Sequence, residues 1–515
     1  MAGFLSGTLI LFLANLFNRF LAFFYQIVVI RLVGAEGIGL LNMVYPFYCL
    51  FLVFSTAGIP VAVSRLVAYY GAISPTVENY ILRLALKTVF LLSLFFTFLL
   101  FVLSPIIKDH FLANPAALPS LYVLALSIII VAVSSVFRGY FQGRQNMIPS
   151  AVGQTVEQIV RIAVGVTTSL FFKHNLGAAS AGLAAGVTAG ETAGLLVCLL
   201  FFYFQRSSLT TTPPTALAPQ IKQEMFTLAW PLTLDRVVSN LLYTVDAAII
   251  PARLLASGMT VTRSTEIFGQ LNGIAIPLIF FPTTVTTALA TAIIPALSHA
   301  QSVSPTVVRY RSEESLRLTL LVAFPAMAIF ALFPYQITGL LFHCPEAGTL
   351  LQILALGGFF LYLDHTAAAI LQGLGRPLIP LLTMVVSSAV KIGLLYYLTS
   401  WPGWNVKGIA WAINAEFLLE SLLNLIFVAR CCGLTLSVHS TLLKPAAATA
   451  VMTLGAAACH YLLALTGTVP PWLQLLAALA VAVLLYTWLL FWWKIVPPSL
   501  FTDLLEPLKR LFPGK

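Results

Sequence analysis

The chain has 515 residues and a formal net charge of +10, with 27 Lys and Arg against 17 Asp and Glu. Hydrophobic residues make up 60% and charged residues 9%, whereas soluble globular chains carry about 25% charged residues. This balance, spread over the whole length with a mean hydropathy of +0.97, excludes a soluble enzyme, a disordered chain and a protein with a single membrane anchor. It predicts an all-α polytopic membrane protein.

Fourteen stretches are long and apolar enough to cross a bilayer as helices, which takes about 20 residues each. They cover 5–32, 40–70, 81–105, 118–138, 149–172, 177–204, 225–250, 265–298, 315–340, 348–371, 378–399, 405–429, 441–465 and 471–493. The first has no basic region before it and continues past the length of a signal peptide, so we interpret it as a retained helix. Short turns are expected between most spans.

Basic residues in the short loops indicate the orientation of these spans, because cytoplasmic loops are enriched in Lys and Arg. Seventeen Lys and Arg fall on the side that holds both termini. The opposite side has six, namely Arg31, Lys108, Lys173, Arg253, Arg263 and Lys407. Both termini are therefore expected in the cytoplasm, which requires an even number of spans.

Matching patches recur at an offset of 230 residues. Glu36-x-x-Gly39-x-Leu41-Asn42 returns as Glu266-x-x-Gly269-x-Leu271-Asn272, Gln142-Gly143 as Gln372-Gly373, and Arg161 as Lys391. Six spans separate the copies, so the two halves share one orientation. The predicted organisation is a six-helix repeat over 1–204, a cytoplasmic linker over 205–224, a second six-helix repeat over 225–430, two added helices over 431–494 and a cytoplasmic tail over 495–515.

Prolines interrupt the second span, with Pro46 and Pro60, and the eighth span, with Pro277, Pro282 and Pro295. Proline removes a backbone donor and bends a helix. Because interrupted spans at corresponding positions of two halves are typical of carriers, Pro46, Pro60, Pro277 and Pro295 are candidate gate or hinge residues. The alternative is that proline is simply common in membrane helices.

Four cations lie inside spans: Arg19, Arg161, Arg236 and Lys391. A charge at mid-bilayer costs at least about 2.5–3.5 kcal/mol, so it normally faces a cavity or a partner. A central cavity lined by all four, with Asn18 beside Arg19, would suit a phosphate-bearing head group. The alternative is local ion pairing, since Glu157 precedes Arg161 by one helical turn and Asp235 adjoins Arg236.

Asp246 lies in an apolar run, Leu241–Ile250. Two roles stay open for its carboxylate: coupling to Na⁺ or H⁺, or pairing with Arg19 or Arg236. A third feature, the glycines at four-residue spacing in span 6 (Gly182, Gly186, Gly190, Gly194), favours close helix packing.

The motifs of the common soluble enzymes and metal sites are missing from the sequence. It contains no G-x-x-x-x-G-K-[ST] phosphate loop, no G-x-S-x-G or H-E-x-x-H motif, and no C-x-x-C pair among its six cysteines. We therefore expect no ATP hydrolysis, no bound cofactor or metal, and no enzymatic activity. A coupling ion or the membrane potential would supply the energy of transport.

Taken together, these patterns resemble the multidrug/oligosaccharidyl-lipid/polysaccharide (MOP) exporter superfamily. Within it, the sequence resembles the stage V sporulation protein B group of lipid-linked precursor flippases. The resemblance rests on Asn18-Arg19, Gly58-Ile59-Pro60, Arg138-Gly139-Tyr140-Phe141-Gln142-Gly143, Glu157-Gln158-x-x-Arg161, Asp246-x-x-Ile249-x-Pro251-x-Arg253-Leu254 and Leu371-Gln372-Gly373.

The resemblance implies a flippase of the bacterial cytoplasmic membrane that moves undecaprenyl-diphosphate-linked sugars by alternating access. The favoured cargo is lipid II, for cell-wall or spore-cortex synthesis. Arg19 matches the first of the cavity arginines of related flippases, but Tyr25 and Gln26 stand where a further arginine and an acidic residue belong. The implied partners are the lipid-linked oligosaccharide, membrane lipids and cell-wall synthases, with no nucleic acid. Alternatives are a flippase for an O-antigen or teichoic precursor and a cation-coupled multidrug exporter.

Overall fold

The structure, a computed structural model, describes the backbone of residues 2–71, 75–204, 218–401, 403–435, 437 and 439–495. Side chains are described from residue 16 onward, except those of 75, 231, 232 and 235. The described residues are almost entirely helical and contain no strand. They confirm an all-α polytopic protein. The chain divides into two compact units, residues 1–273 with Leu395–Asn405, and Ile274–Leu394 with the residues from Val406 onward.

Of the described helices, eight lie in the first unit and nine lie wholly or mostly in the second. The first unit holds α1 (Ala2–Thr56), α2 (Ile59–Tyr70), α3 (Pro75–His110), α4 (Leu118–Gly143), α5 (Ile148–Phe171), α6 (Leu176–Phe204), α7 (Ala218–Ala256) and α8 (Val261–Gln270). The second holds α9 (Ile276–Phe280), α10 (Thr283–Gln301), α11 (Pro305–Leu332), α12 (Pro334–Phe342), α13 (Ala347–Gly373), α14 (Leu378–Leu398, with its last residues in the first unit), α15 (Asn405–Cys432), α16 (Lys444–Leu465) and α17 (Pro471–Trp492).

Among the described residues, eleven helices are long and apolar enough to cross a membrane, or twelve if one bent pair is a single span. The run from Leu16 to Tyr70 is counted as one of these helices, although the sequence predicts two spans there. Helix α5 is not among the eleven, because Glu157 and Arg161 interrupt its apolar character. A polytopic membrane protein is thus established at this coarser level.

The turn expected between the first two spans, over 33–39, is replaced by one kinked residue. Within α1, only Gly34 departs from helical geometry, with φ 78° and ψ 173°. Glycine adopts this positive φ at little cost because it has no Cβ. The chain therefore changes direction at one residue, and the residues on both sides of it stay helical.

The structure differs from the predicted linker over 205–224 in the second part of that segment. Residues 205–217 lie outside the described residues, as does the tail from 496 onward. Residues 218–224, however, form the first turns of α7. They are helical because Ile221, Met225 and Ala229, spaced one turn apart, are buried in the core of the first unit. Burial of this apolar face stabilises the helix.

The eighth predicted span is broken rather than continuous. A π-helical turn at Leu271–Ala275 follows α8, and a second break bends the run from α8–α9 to α10 by 51°. Pro277 is the second residue of α9, and Pro60 is the second residue of α2, just after the α1–α2 break. Pro46 and Pro295 lie inside continuous helices. The hinge or gate role of these prolines stays a prediction.

Similar helix contacts occur within each unit at positions 230 residues apart. In the first unit, a methyl group on Gly143 would lie 2.6 Å from the carbonyl oxygen of Ser64. In the second, one on Gly373 would lie 3.1 Å from that of Ile294, and Ser298 Oγ donates to Gly373 O at 3.0 Å. Glycine lets one helix approach the backbone of the next in both places.

The two copies of the Glu-x-x-Gly motif pack on each other inside the first unit. The space where Gly39 would carry a Cβ is filled by the carbonyl of Thr265, and that of Gly269 by the carbonyl of Ala35. Helices α1 and α8 therefore meet backbone to backbone, which side chains larger than hydrogen would prevent.

Replacing Gly269 by alanine is expected to destabilise the protein strongly, because the new methyl group meets backbone that cannot rotate away. Overpacking of this kind costs roughly 1–3 kcal/mol or more. The measurement is the thermal midpoint of the purified protein in detergent. Gly393→Ala in α14 is the matched control, since nothing lies within 4 Å of its Cβ position. Equal midpoints for the two variants would contradict the close α1–α8 packing.

Helices α16 and α17 correspond to the two added spans and belong to the second unit. They pack on each other, and α16 also packs on α11. Tyr486 of α17 donates a hydrogen bond to the carbonyl of Leu321 at 2.9 Å. The outer faces of the pair stay rich in exposed apolar side chains such as Leu454, Leu462 and Trp488, as expected where helices face lipid.

Candidate functional site with charged residues inside the helices

Asn18 and Arg19 lie on α1 in the first unit and are both half-buried. Both amide atoms of Asn18 are buried and make no hydrogen bond within the described part of the chain. A buried amide without a partner costs about 1–3 kcal/mol, so an orphaned Asn18 beside a cation is a feature that needs an explanation. It marks this stretch of α1 as a candidate ligand contact.

Arg236 and Asp246 lie on α7, which packs against α1 within the first unit. Arg236 is exposed and Asp246 is half-buried. The side chain of Asp235, predicted as a local partner of Arg236, lies outside the described residues. Thr244 Oγ1 lies 2.7 Å from the carbonyl oxygen of Asn240, one turn earlier on α7, and 3.2 Å from the carbonyl oxygen of Pro46 on α1. The second contact connects α7 to α1.

Tyr25 and Gln26, at the positions where the resemblance implies further charged groups, contact other elements of the first unit. The Tyr25 hydroxyl lies 2.5 Å from the Cβ position of Gly165 on α5. Gln26 Nε2 donates to the carbonyl of Gly273 at 3.0 Å. Both side chains therefore fasten α1 to neighbouring elements of the first unit.

Arg161 takes part in a four-membered cluster, which we call the N-half ion ring: Arg138, Glu157, Arg161 and Glu191. Arg161 Nη2 lies 2.5 Å from Glu157 Oε1 and 3.3 Å from Glu191 Oε1. Arg138 Nη2 lies 2.7 Å from Glu157 Oε2 and 3.5 Å from Glu191 Oε2. Each arginine thus bridges both carboxylates, and the four formal charges cancel.

The glycine stripe of α6 brings these groups together. Gly190 sits 2.6 Å, measured from its Cβ position, from the carbonyl of Glu157, and Gly194 sits 3.3 Å from the carbonyl of Gly153. With α5 and α6 this close, Glu191 reaches the arginines of α4 and α5. The local ion pair between Glu157 and Arg161 is therefore present, and its second carboxylate comes from another helix.

Lys391 lies in a corresponding cluster of the second unit, which we call the C-half polar cluster: Asp364, Thr383, Ser388, Lys391, Glu416 and Asn424. Lys391 is 5% exposed, and its Nζ lies 2.9 Å from Glu416 Oε1. Ser388 Oγ donates to the same oxygen at 2.6 Å. Asn424 Nδ2 donates to Asp364 Oδ1 at 2.7 Å, and Thr383 Oγ1 donates to Asn424 Oδ1 at 2.9 Å.

Within their own units, the two repeat-equivalent cations are thus held by carboxylates. Arg161 and Lys391 each form an ion pair inside their own unit, and Arg19 and Arg236 are not members of either cluster. No group of three or more His, Cys, Asp or Glu among the described residues has the arrangement of a metal site. The substrate-binding role of all four cations stays a prediction.

Sequence reasoning overlooked Arg138, the last residue of the fourth predicted span, and used it only in the count of basic residues on the side that holds both termini. Helix α4 continues to Gly143, and the Arg138 side chain is mostly buried in the ring. Sequence reasoning also assigned no partner to the acidic residues Glu191 and Glu416. A usable signal existed in both cases: acidic residues on spans 5, 6 and 12 of a chain this poor in charge require cations nearby.

The family is decided by comparison with known proteins. Residues 4–301, more than half of the chain, match the model of a family described as polysaccharide biosynthesis protein. This chain belongs to that family. Its relatives include a lipid II flippase; it is not an enzyme, and it is a multi-pass protein of the bacterial cytoplasmic membrane.

Relatives of this polysaccharide biosynthesis family member cover most of its length. Stage V sporulation protein B of Bacillus subtilis (strain 168) is 31% identical over 433 residues, 83% of this chain and 84% of that protein. Lipid II flippase MurJ of the same organism is 26% identical over 416 residues, 75% of this chain and 76% of that protein. These similarities confirm the resemblance to stage V sporulation protein B and to a lipid II flippase.

Solved structures agree with this family assignment at the level of the fold. The inward closed conformation of lipid II flippase MurJ matches with a TM-score of 0.72 and 15% identity, covering 94% of this chain and 99% of that one. An inward-facing multidrug resistance MATE family transporter of the MOP superfamily matches with a TM-score of 0.65 and 13% identity, covering 81% and 94%.

Proposed function

We propose that this chain is a flippase for an undecaprenyl-diphosphate-linked saccharide, with lipid II as the cargo, and that it works by alternating access in cell-wall or spore-cortex synthesis. The observation that carries the proposal is the similarity to stage V sporulation protein B and lipid II flippase MurJ over at least three quarters of the chain. Cell-wall synthases are the partners expected to receive the cargo.

The chemistry of the charged residues supports this proposal. A diphosphate-linked sugar cannot enter hydrocarbon without replacing its lost hydration. Arginine binds phosphate through a planar fork with several donors, and Arg19 on α1 and Arg236 on α7 both carry this group. The orphaned amide of Asn18 adds donors and an acceptor beside Arg19. We therefore assign the head group to Arg19, Arg236 and Asn18, with Arg161 and Lys391 as further candidates.

The proposed topology has fourteen spans, with both termini in the cytoplasm and two parallel six-helix repeats. Three features raise the number above the eleven spans of the structure: the Gly34 kink divides the run from Leu16 to Tyr70, the bent run from α8 to α10 is one span, and α5 is another. The 24 residues of α5 are enough to cross the hydrocarbon. The neutral N-half ion ring lowers the cost of burying their charges.

The deciding experiment is translocation of fluorescent lipid II by the purified protein in unilamellar vesicles. Protein-dependent movement of lipid II to the opposite leaflet is expected, and empty vesicles give the background. If the vesicles move an O-antigen or teichoic precursor but not lipid II, lipid II is the wrong cargo. If neither lipid moves under a pH gradient, a sodium gradient or a membrane potential, the flippase function is wrong.

A second candidate cargo is another lipid-linked polysaccharide precursor of the O-antigen or teichoic type. The family description, polysaccharide biosynthesis protein, favours this alternative. It shares the diphosphate and the polyprenyl chain with lipid II, so the charged groups of α1 and α7 would serve equally. The same vesicles loaded with such a precursor distinguish the two cargoes by their relative rates.

Asp246 is the proposed site where transport couples to Na⁺ or H⁺. Such coupling would supply the energy of transport, for which no bound cofactor is expected. Asp246→Asn removes the charge and keeps the shape of the side chain. We expect this variant to transport lipid II at a similar rate without a gradient and to lose the acceleration that an imposed ion gradient gives the wild type. A gradient response equal to that of the wild type would leave the membrane potential as the proposed energy source.

A further inference from the structure

A cleft with both polar and apolar walls opens between the end of α2 and the first turns of α7, inside the first unit. Its volume is about 840 Å³, within the range of roughly 300–1,000 Å³ of small-molecule sites. The side chains used in the argument are Arg65, Tyr69, Gln220, Gln223, Glu224 and Thr227. None of them belongs to the charged groups of the proposed transport function.

The walls of this cleft are held by a packed core. Ile221 and Met225 of α7 are fully buried against residues of α2, α3 and α4, so the opposite face of α7 is turned to the cleft. Tyr70 at the end of α2 is buried, and its hydroxyl lies 3.1 Å from both carboxylate oxygens of Glu224. A ligand therefore meets a surface that is already ordered, which lowers the entropy cost of binding.

The charge of the cleft is balanced. Arg65 contributes one positive charge and Glu224 one negative charge. Glu224 Oε1 also accepts a hydrogen bond from Gln220 Nε2 at 3.0 Å. A lining with no net charge gives little attraction to a bare diphosphate or an anionic phospholipid head group, whereas it suits an uncharged ligand rich in polar groups.

The remaining groups are those that recognise sugars. Gln223 and Thr227 are exposed, and amides and hydroxyls both donate and accept hydrogen bonds, as sugar hydroxyl groups require. Tyr69 is 68% exposed, and its ring packs edge-to-face on Tyr70 with a centroid distance of 4.9 Å. An exposed, braced aromatic ring offers a flat apolar surface to the C–H face of a sugar ring.

The polar surface continues on the other side of α2. A smaller pocket of about 210 Å³ shares Ala68 with the cleft and is lined by Glu78, Arg144 and Gln145. Arg144 Nε lies 3.6 Å from Glu78 Oε2, so this pocket is also balanced in charge. The end of α2 thus carries neutral polar sites on two sides, enough for more than one sugar residue.

We propose that the α2–α7 cleft binds the saccharide of the lipid-linked substrate, on the side of the membrane that the proposed topology places in the cytoplasm. This inference rests on the proposed function and extends it. The cleft selects the sugar before the diphosphate reaches the arginines of α1 and α7. Cargo specificity would then reside largely in Tyr69, Gln223 and Thr227, apart from the groups that bind phosphate.

The experiment uses the purified full-length protein in detergent and N,N′-diacetylchitobiose, a neutral soluble disaccharide, followed by saturation-transfer NMR. We expect the wild type to bind the disaccharide, Tyr69→Ala to weaken binding about fivefold, and Tyr69→Trp to keep it. Gln223→Ala is expected to weaken binding as well. Tyr203→Ala is the matched control, because Tyr203 on α6 is 69% exposed and lies outside the cleft.

Two results would overturn the inference: no binding of the disaccharide to the wild type, or equal binding to the wild type, Tyr69→Ala and Gln223→Ala. Preferential binding of glycerol 1-phosphate at Tyr69 would also overturn it, since the cleft would then be an anion site. The lipid II assay separates this failure from failure of the proposed function. A raised KM with unchanged turnover in Tyr69→Ala supports both, whereas Tyr69-dependent sugar binding without lipid II transport supports the cleft alone.

Discussion

Replacing Arg19 or Arg236 by alanine is expected to stop transport while the protein stays folded. Each change removes a charge-assisted contact to the diphosphate, worth about 1.5–3 kcal/mol, which corresponds to roughly a 10- to 150-fold loss of transport at low substrate concentration. The measurement is lipid II translocation in vesicles, with complementation of a strain depleted of its lipid II flippases as the cellular readout. Both variants are expected to be made at the wild-type level.

Arg430→Ala provides the matched control for these variants. Arg430 is an exposed arginine at the end of α15, so its loss removes the same charge from the chain without touching α1 or α7. Arg19→Lys tests the fork of the guanidinium, because lysine keeps the charge but offers a point contact. If Arg19→Ala and Arg236→Ala both transport and complement like Arg430→Ala, the assignment of the head group to these arginines is wrong.

Replacing Arg161 by alanine is expected to have a different effect, namely loss of folded protein. The substitution leaves Glu157 and Glu191 with Arg138 as the remaining cation of the N-half ion ring, between α4, α5 and α6. Removing one member of a buried ion pair costs about 3–5 kcal/mol, because the remaining charge keeps its desolvation penalty. The measurement is the thermal midpoint by fluorescence-detected size exclusion in detergent.

Two further variants make this prediction specific. The double variant Arg161→Met with Glu191→Gln restores neutrality around the Arg138–Glu157 pair, so it is expected to recover part of the lost stability. Arg309→Ala breaks the exposed pair between Arg309 and Glu313, 3.2 Å apart and 44% exposed at the arginine, which is worth at most about 1 kcal/mol. If Arg161→Ala lowers the midpoint no further than Arg309→Ala, the ring does not stabilise the first unit.

The Arg19 and Arg161 substitutions test two different roles, substrate binding and stabilisation of the fold. The sequence alone indicated one candidate role, substrate binding, for all four cations inside the spans. In the sequence, Arg19 and Arg161 are both cations inside apolar helices, although Glu157 precedes Arg161 by one helical turn. The structure distinguishes them by their surroundings, since Arg161 has two carboxylates within 3.3 Å. A loss of transport with intact folding is therefore expected for Arg19, and a loss of folding for Arg161.

The sequence by itself determined the class of protein and most of its helices. Their length and apolar character are local properties, because lipid forces each spanning segment to satisfy its own backbone hydrogen bonds. The repeat at 230 residues and the glycine positions of α6 were likewise readable from spacing. The places where the sequence misled were local exceptions, such as the single-residue kink at Gly34 and the helical start of α7 at 218–224.

Only the tertiary structure decided which charges meet. Arg138, Glu157 and Glu191 come from three helices, and their contact depends on how closely α5 and α6 approach through Gly190 and Gly194. The α2–α7 cleft depends in the same way on Tyr70 reaching Glu224 across 154 positions of the chain. Such pairings are fixed by packing between distant segments, and helical periodicity carries no information about a partner on another helix.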